Sequence, residues 1–98
     1  MTIPPFRVFS IWGKSPFPLQ AAFGVSSGQF RKAVHRNRIK RLCREAYRLE
    51  KKPLQELLRA ANKSLAIFLI YSGRELPAHD EIFSRMRIVL KELGKKAD

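Results

Sequence analysis

The pattern of apolar and polar residues along the chain predicts three β-strands. Aromatic and β-branched residues are frequent from Phe6 to Trp12. From Leu19 to Ser26 the apolar residues alternate, which places one face of a strand at Leu19, Ala21, Phe23 and Val25. The connection between these segments is short and rich in glycine and proline, so we expect them to form an antiparallel pair. A third segment, Leu65 to Tyr71, is apolar at nearly every position, which is typical of a strand covered on both faces.

Other segments repeat their apolar residues with the period of an α-helix. The first runs from Val34 to about Glu50, with its apolar face at Ile39, Leu42, Cys43 and Ala46. After a break at Pro53 the helical pattern continues from Leu54 to Ala61. A last helix is expected to begin with His79 or Asp80 as its cap and to stop at Gly94. The order β-β-α-β-α predicts an α+β fold, a small α/β sandwich with helices against a sheet.

Charge is concentrated in the first of these helical segments. The chain of 98 residues has a net charge of +12, and half of its 20 Lys and Arg residues lie between Arg31 and Lys52. Only Glu45 and Glu50 oppose them there, and we expect Glu45 to form a solvated ion pair with an arginine one turn away. Because a bound polyanion relieves the repulsion among so many positive charges, the composition favours a nucleic-acid partner over a membrane surface.

The basic residues of this helix are predicted to form an outward row. At roughly 100° per residue, the row contains Arg36, Lys40, Arg44 and Arg48, flanked by Asn37 and Arg41. Guanidinium groups hold phosphate oxygens through paired hydrogen bonds, so an arginine-rich row favours oriented binding of a phosphate backbone. Asn37 could contact ribose, a base edge or metal-bound water, or it could cap the helix or bond to the local backbone.

The sequence offers little for catalysis by the protein itself. Cys43 has no companion cysteine and is expected to be a small core residue. His35 and His79 lack neighbours that would suggest a nucleophile–base pair, and no phosphate-binding glycine loop is present. The first residues lack the apolar run of a signal peptide, and the longest apolar run is too short to span a membrane. We therefore expect a cytoplasmic protein of one domain, residues 1–98, that binds no cofactor and does not contact membranes.

Residues 32–48 read Lys-Ala-Val-His-Arg-Asn-Arg-Ile-Lys-Arg-Leu-Cys-Arg-Glu-Ala-Tyr-Arg. This run closely resembles the signature of the bacterial ribonuclease P protein subunit, which has Arg-Asn-Arg, then Ile-Lys-Arg-Leu, then Arg-Glu and an aromatic residue. The resemblance implies a fold related to domain 2 of ribosomal protein S5, with a left-handed βαβ crossover. That handedness is the opposite of the general rule for such crossovers.

The resemblance also implies a function. The protein would join a catalytic RNA that removes the 5′ leader from precursor tRNA by hydrolysis that depends on magnesium ions. The RNA would perform the chemistry, and the protein would strengthen binding of substrate and metal ions. Carried onto the matching positions, the contacts to the RNA subunit are Arg36, Asn37, Arg38, Lys40, Arg41, Arg44 and Arg48.

Two departures from the family pattern affect the expected leader site. Family members usually begin with a further helix, whereas this sequence starts at a strand. They also commonly carry a lysine pair where this chain has Ser27 and Gly28, so Arg31 and Lys32 are possible substitutes. Leader contacts on the sheet are possible at Phe6, Phe9, Phe23 and Phe30, although alternating phenylalanines are more often core residues.

Two other functions compete with this one. The chain could be another module for structured RNA, such as a ribosome-associated protein, that uses the same charged helix without a nuclease role. It could also be a helix-turn-helix DNA-binding protein with residues 33–61 as its helical pair, although the strands on both sides argue against this.

Overall fold

The computed structural model describes residues 1–26 and 30–96. Its sheet has four strands in the spatial order β1-β2-β4-β3. The strands are β1 (Thr2–Ile3), β2 (Phe6–Gly13), β3 (Leu19–Val25) and β4 (Ser64–Tyr71). The three longer strands confirm the predicted segments to within one residue at each end, and the two-residue β1 is an addition that the pattern did not predict.

Three helices accompany the sheet. They are α1 (Ala33–Glu50), α2 (Lys52–Ala61) and α3 (His79–Lys95). Lys51 alone separates α1 from α2, and Pro53 lies in the first turn of α2, where the missing N–H of proline is tolerated. The N-cap of α3 is Ala78, which makes no side-chain cap bond, so the prediction of a cap at His79 or Asp80 is wrong.

The predicted pairing of β2 with β3 is also wrong. β4 lies between them, antiparallel to β2 and parallel to β3, with Phe9 opposite Phe68 and Phe68 opposite Ala22. Because β3 and β4 are parallel neighbours, the segment α1–α2 that joins them is a crossover connection rather than part of a hairpin arrangement. The left-handed sense of that crossover stays a prediction from the family resemblance.

All three helices pack on one face of the sheet. The strand residues on that face are buried, including Phe6 and Val8 of β2 and every second residue of β4 from Leu65 to Tyr71. The opposite face is open, since Phe9 and Phe68 keep about half of their surface exposed (51% and 43%). The prediction that residues 65–71 are covered on both faces is therefore wrong, because the apolar residues on one side of β4 belong to an exposed surface.

Gly94 packs helices together rather than ending one. It is buried within α3, which continues to Lys95. A Cβ atom at this position would lie 3.2 Å from Leu57 Cδ1 and 3.8 Å from Leu54 Cδ1, both on α2. Glycine at position 94 thus leaves room for the ends of these two leucine side chains against α3. The turn that leaves α2 depends instead on Asn62, whose φ of 55° places it in the left-handed region that asparagine tolerates.

Candidate nucleic-acid interface

The inner face of α1 fixes the helix to the core. Ile39, Cys43 and Ala46 are almost completely buried, and Leu42 is half-buried beside them. The ring of Tyr47 meets Phe23 of β3 edge to face, with centroids 5.6 Å apart. At the end of the helix, the Glu50 carboxylate accepts two hydrogen bonds from Arg87 of α3 at 3.0 and 3.3 Å. These contacts confirm the predicted core side of α1 and determine which side faces the solvent.

The outward face is rotated slightly from the predicted row. Arg36 and Lys40 are half-buried at its margin, whereas Asn37, Arg41, Arg44 and Arg48 are exposed. The helical repeat explains the shift, because the side opposite Ile39, Cys43 and Ala46 is centred on residues 37, 41, 44 and 48. We call these four residues the α1 stripe. Arg38 is exposed beside it, and Arg31 and Lys32 are exposed just before the helix begins.

Arg36 holds the backbone that leads into α1. Its Nη1 atom donates hydrogen bonds of 2.8 Å to the carbonyl oxygens of Phe30 and Arg31. Phe30 is itself buried against the ring of Tyr71, with centroids 6.2 Å apart. One terminal nitrogen of this guanidinium is therefore committed to the protein, so Arg36 positions the start of the helix in addition to any contact it makes with a ligand.

Three arginines of the α1 stripe surround a shallow depression. Its volume is about 210 Å³, and it is lined by Arg41, Arg44, Glu45 and Arg48. Among the described residues, Glu45 forms no ion pair within 4 Å, so the prediction that it pairs with an arginine is wrong. The three guanidinium groups consequently face solvent with a single carboxylate at their edge, an arrangement that suits a phosphate group.

The first turn of α1 adds to the positive potential. No acidic residue lies in it, and the N-cap residue Lys32 makes no side-chain cap bond, so the amide groups at the helix N-terminus are not neutralised by a side chain. Because the helix begins at Ala33, Asn37 lies in its second turn and is not a cap. The Asn37 side chain makes no hydrogen bond to the residues that the structure describes, and its amide faces solvent.

The open face of the sheet carries a second surface, which the sequence prediction captured only at Phe9. Phe9 and Phe68 are directly paired across β2 and β4, and Ile11 beside them is 75% exposed. The Arg7 guanidinium lies 5.9 Å from the centre of the Phe9 ring. A Cβ atom on Gly24 would lie 3.1 Å from the Phe68 ring, so this glycine allows the ring to extend over β3. We call Arg7, Phe9, Ile11 and Phe68 the sheet-face cluster.

The other phenylalanines proposed as leader contacts lie elsewhere. Phe6 is fully buried and packs edge to face against Tyr71, with centroids 6.1 Å apart, and Phe30 is buried beside the same ring. Phe23 is half-buried on the helix-covered face against Tyr47. Phe6 and Phe30 cannot offer a ring face to a base from these positions. The alternation of strand residues had already suggested that most of these rings belong to the core.

Buried ionisable groups support a structural role for Cys43. Burial raises the pKa of its thiol to about 12, an effect that the Arg44 charge only partly opposes. Burial likewise raises the pKa of the neighbouring Tyr47 hydroxyl to about 12.

In the described part of the chain, no three His, Cys, Asp or Glu side chains form a group that could hold a metal ion. Within residues 1–26 and 30–96, no helix is both long and apolar enough to cross a membrane.

Comparison with known proteins agrees with this geometry. A family model described as Ribonuclease P matches residues 5–94. The ribonuclease P protein component of Porphyromonas gingivalis is 45% identical over 53 residues, which are 54% of this chain and 39% of that protein. The corresponding protein of Chlorobaculum tepidum is 35% identical over 82 residues, covering 78% of this chain and 53% of that protein.

The chain thus spans from 39% to 53% of the length of the curated relatives it matches. No solved structure matches it. The family match includes all of α1, the crossover to β4 and nearly all of α3, so it covers both the core that orients the α1 stripe and the stripe itself. On this basis, the chain belongs to the ribonuclease P protein family.

Proposed function

We propose that this chain binds the catalytic RNA of ribonuclease P through α1 and assists removal of the 5′ leader from precursor tRNA. The observation that carries the proposal is the α1 stripe, in which three exposed arginines share one depression on a helix fixed to the core. Because α1 is fixed to the core, its exposed guanidinium groups lie on one side of the protein, which favours a folded RNA whose phosphates can reach that side together.

The residues of the signature divide into two roles in this proposal. Arg38, Arg41, Arg44 and Arg48 are exposed and contact RNA phosphates, and Asn37 among them can donate to and accept from ribose or a base edge. Arg36 and Lys40 lie at the margin, where Arg36 also holds the start of the helix. Arg31 and Lys32 extend the positive surface in front of α1 and approach the leader.

The sheet-face cluster is the second part of the proposal. Single-stranded RNA is recognised by stacking of unpaired bases on aromatic rings, and Phe9 with Phe68 offers two such rings side by side. We propose that the leader of the precursor tRNA crosses this face, with Arg7 close enough to neutralise a phosphate. Of the four phenylalanines suggested by the sequence, only Phe9 is placed for this role.

Magnesium ions enter the proposal through the RNA. The protein has no group of carboxylates or histidines among its described residues that would hold such an ion. In the holoenzyme, the ions would be held by RNA phosphates and would supply the activated water for hydrolysis. The part played by this chain is to fix the RNA and the substrate with its cations, which reduces the concentration of magnesium needed to neutralise them.

The test is reconstitution of the full chain with its cognate ribonuclease P RNA at low magnesium. We expect the protein to raise kcat/KM for cleavage of a precursor tRNA at the leader junction. An Arg41→Gln/Arg44→Gln variant should lose most of that gain. The matched control, Arg59→Gln/Arg85→Gln, removes two exposed charges from α2 and α3 and should retain it.

Two outcomes would contradict the proposal. The first is wild-type protein that gives no gain in cleavage rate or substrate affinity. The second is equal loss in the two double variants, which would mean that total charge, rather than the α1 stripe, determines binding. A competition arm with ribosomal RNA addresses the alternative of another structured-RNA module, since such a module would show no preference for the ribonuclease RNA.

A further inference from the structure

A tryptophan and three lysines form a pocket at the end of the sheet. Trp12 is near the end of β2, Lys14 follows that strand, Lys63 precedes β4 and Lys96 is the C-cap residue of α3. Together with Gly13 they line one cavity of about 430 Å³. We call it the Trp12 pocket. Neither the α1 stripe nor the sheet-face cluster includes any of its residues.

The fold brings these four side chains together from separate segments. β2 ends where β4 begins, because Trp12 pairs with Leu65 and Gly13 with Ser64. The left-handed conformation of Asn62 ends α2, and the Lys63 N–H then donates to the Leu58 carbonyl oxygen at 3.0 Å, which fixes the backbone of the lysine. The pocket residues are therefore anchored by the end of β2, the start of β4 and the C-terminal end of α3.

The composition of the pocket indicates an anion with an aromatic part. Among the residues that the structure describes, the lining includes three lysines and no Asp or Glu. Trp12 is half-buried, with part of its surface packed on the core and part lining the cavity. An indole face beside ammonium groups matches a nucleotide, whose base stacks on the ring while its phosphate is held by lysine. An isolated inorganic anion would leave the indole surface unused.

The pocket lies away from the start of the α1 stripe. The N-terminal end of β2 pairs with Tyr71, next to Phe30 and the entry to α1, whereas Trp12 is at the opposite end of the strand. Six residues of extended strand separate Phe6 from Trp12, a distance of roughly 20 Å at about 3.3 Å per residue. A ligand that reached both places would be a polynucleotide rather than a single small molecule.

We propose that the Trp12 pocket binds one unpaired nucleotide of an RNA strand, with the base stacked on Trp12 and the phosphate held by Lys14 and Lys96. The inference rests on the proposed function, because it assumes that RNA is the partner of this chain. It adds a second RNA contact that recognises a single-stranded nucleotide at the end of the sheet distant from the entry to α1.

The experiment uses the fluorescence of Trp12, which is the single tryptophan in the sequence. The full chain is titrated with a six-nucleotide oligouridylate, with a blunt-ended RNA duplex, and with hexaglutamate. Because indole emission is quenched by a stacked base, we expect strong quenching by the oligouridylate and little by the other two. A Lys14→Gln/Lys96→Gln variant should raise the Kd from the quenching curve about tenfold.

Controls separate this proposal from the proposed function. Lys91→Gln removes one lysine from α3 outside the pocket and should leave the quenching curve close to that of the wild type. Arg41→Gln/Arg44→Gln should weaken binding to the ribonuclease RNA, followed by filter retention, while quenching by oligouridylate persists. If that variant loses RNA binding and the pocket variant changes nothing, the pocket proposal fails alone. Circular dichroism confirms that each variant is folded.

Two results would overturn the pocket proposal. Equal quenching by hexaglutamate would mean that the pocket accepts anions without reading a base. Oligouridylate binding without a change in Trp12 emission would place the RNA elsewhere on the protein. A Trp12→Phe variant adds a check without fluorescence, because it should retain oligouridylate affinity that Trp12→Ala loses.

Discussion

Replacing Arg36 or Arg41 by alanine removes the same charge from α1, yet we expect the two variants to differ. Arg41 is exposed and lines the depression of the α1 stripe. Arg36 is half-buried, and its Nη1 atom donates to the carbonyl oxygens of Phe30 and Arg31. Arg36→Ala should therefore lower stability, whereas Arg41→Ala should lower RNA affinity.

The magnitudes follow from these contacts. A hydrogen bond that involves a charged group contributes about 1.5–3 kcal/mol to stability. Because one nitrogen of Arg36 serves both acceptors and one acceptor is exposed, we take the low end, about 1.5 kcal/mol for the pair. For a domain of this size that corresponds to a fall in Tm of roughly 6–12 °C. Arg41→Ala should leave Tm nearly unchanged and reduce the slope of log K against log salt by about 0.7–0.9, the value of one phosphate contact.

Both quantities can be measured on the same samples. Thermal unfolding followed by circular dichroism gives Tm, and filter binding to the ribonuclease RNA at several salt concentrations gives the slope. Arg36→Lys is the informative intermediate, since it keeps the charge but not the planar guanidinium, and it should recover only part of the lost stability. An Arg36→Ala variant with wild-type Tm and the same slope change as Arg41→Ala would refute the assignment of Arg36 to the backbone.

Three further predictions concern the core and the sheet face. Burial raises the pKa of the Cys43 thiol from 9.0 to about 12. Between these pH values the thiol ionises only in the unfolded chain, so the free energy of unfolding is unaffected below pH 9 and falls as the pH rises toward 12. Cys43→Ala should make this fall less steep. Gly94→Ala should raise the free energy of unfolding by about 0.5 kcal/mol, because the helix gains a better former and the nearest atom is the end of the partly exposed Leu57 side chain; a fall in the urea midpoint would contradict this. Phe6→Ala should cost about 3–5 kcal/mol in urea unfolding, whereas Phe9→Ala should leave the midpoint nearly unchanged and weaken binding only of precursor tRNA that carries a leader.

The helical segments could be predicted from the sequence because their pattern is local. The buried positions of α1, at Ile39, Cys43 and Ala46, recur with the helical period, and this period alone identifies the opposite face. The contact of Tyr47 with Phe23 of β3, which helps to hold α1 on the sheet, joins distant parts of the sequence and has no local pattern. The two hydrogen bonds of Arg36 to backbone carbonyls likewise have no signature in residue type.

Strand pairing could not be predicted in the same way. A short connection between β2 and β3 suggests an antiparallel pair, but β4 lies between them, and its inward residues Leu65, Ile67, Leu69 and Tyr71 are all buried there. The continuous apolar pattern of β4 was equally misleading. Phe68 looks like a core residue in sequence, although it lies on an open face where Gly24 makes room for its ring. Apolar residues on an exposed sheet face resemble core residues in sequence until the layers are known.

The composition makes the chain strongly positive, and the fold determines on which surface that charge lies. A chain with a net charge of +12 would bind many polyanions, but the arginines of the α1 stripe are held on a helix that the core and the Arg36 hydrogen bonds keep in place. Because the helix fixes where these exposed side chains start, the phosphates of a partner have to come close to this one face. In the proposed function, the paired rings of the sheet-face cluster stack on unpaired bases instead. We therefore expect a folded RNA with an adjoining single strand to bind more tightly than duplex or unstructured RNA of equal charge, and a precursor tRNA leader beside a catalytic RNA meets both requirements.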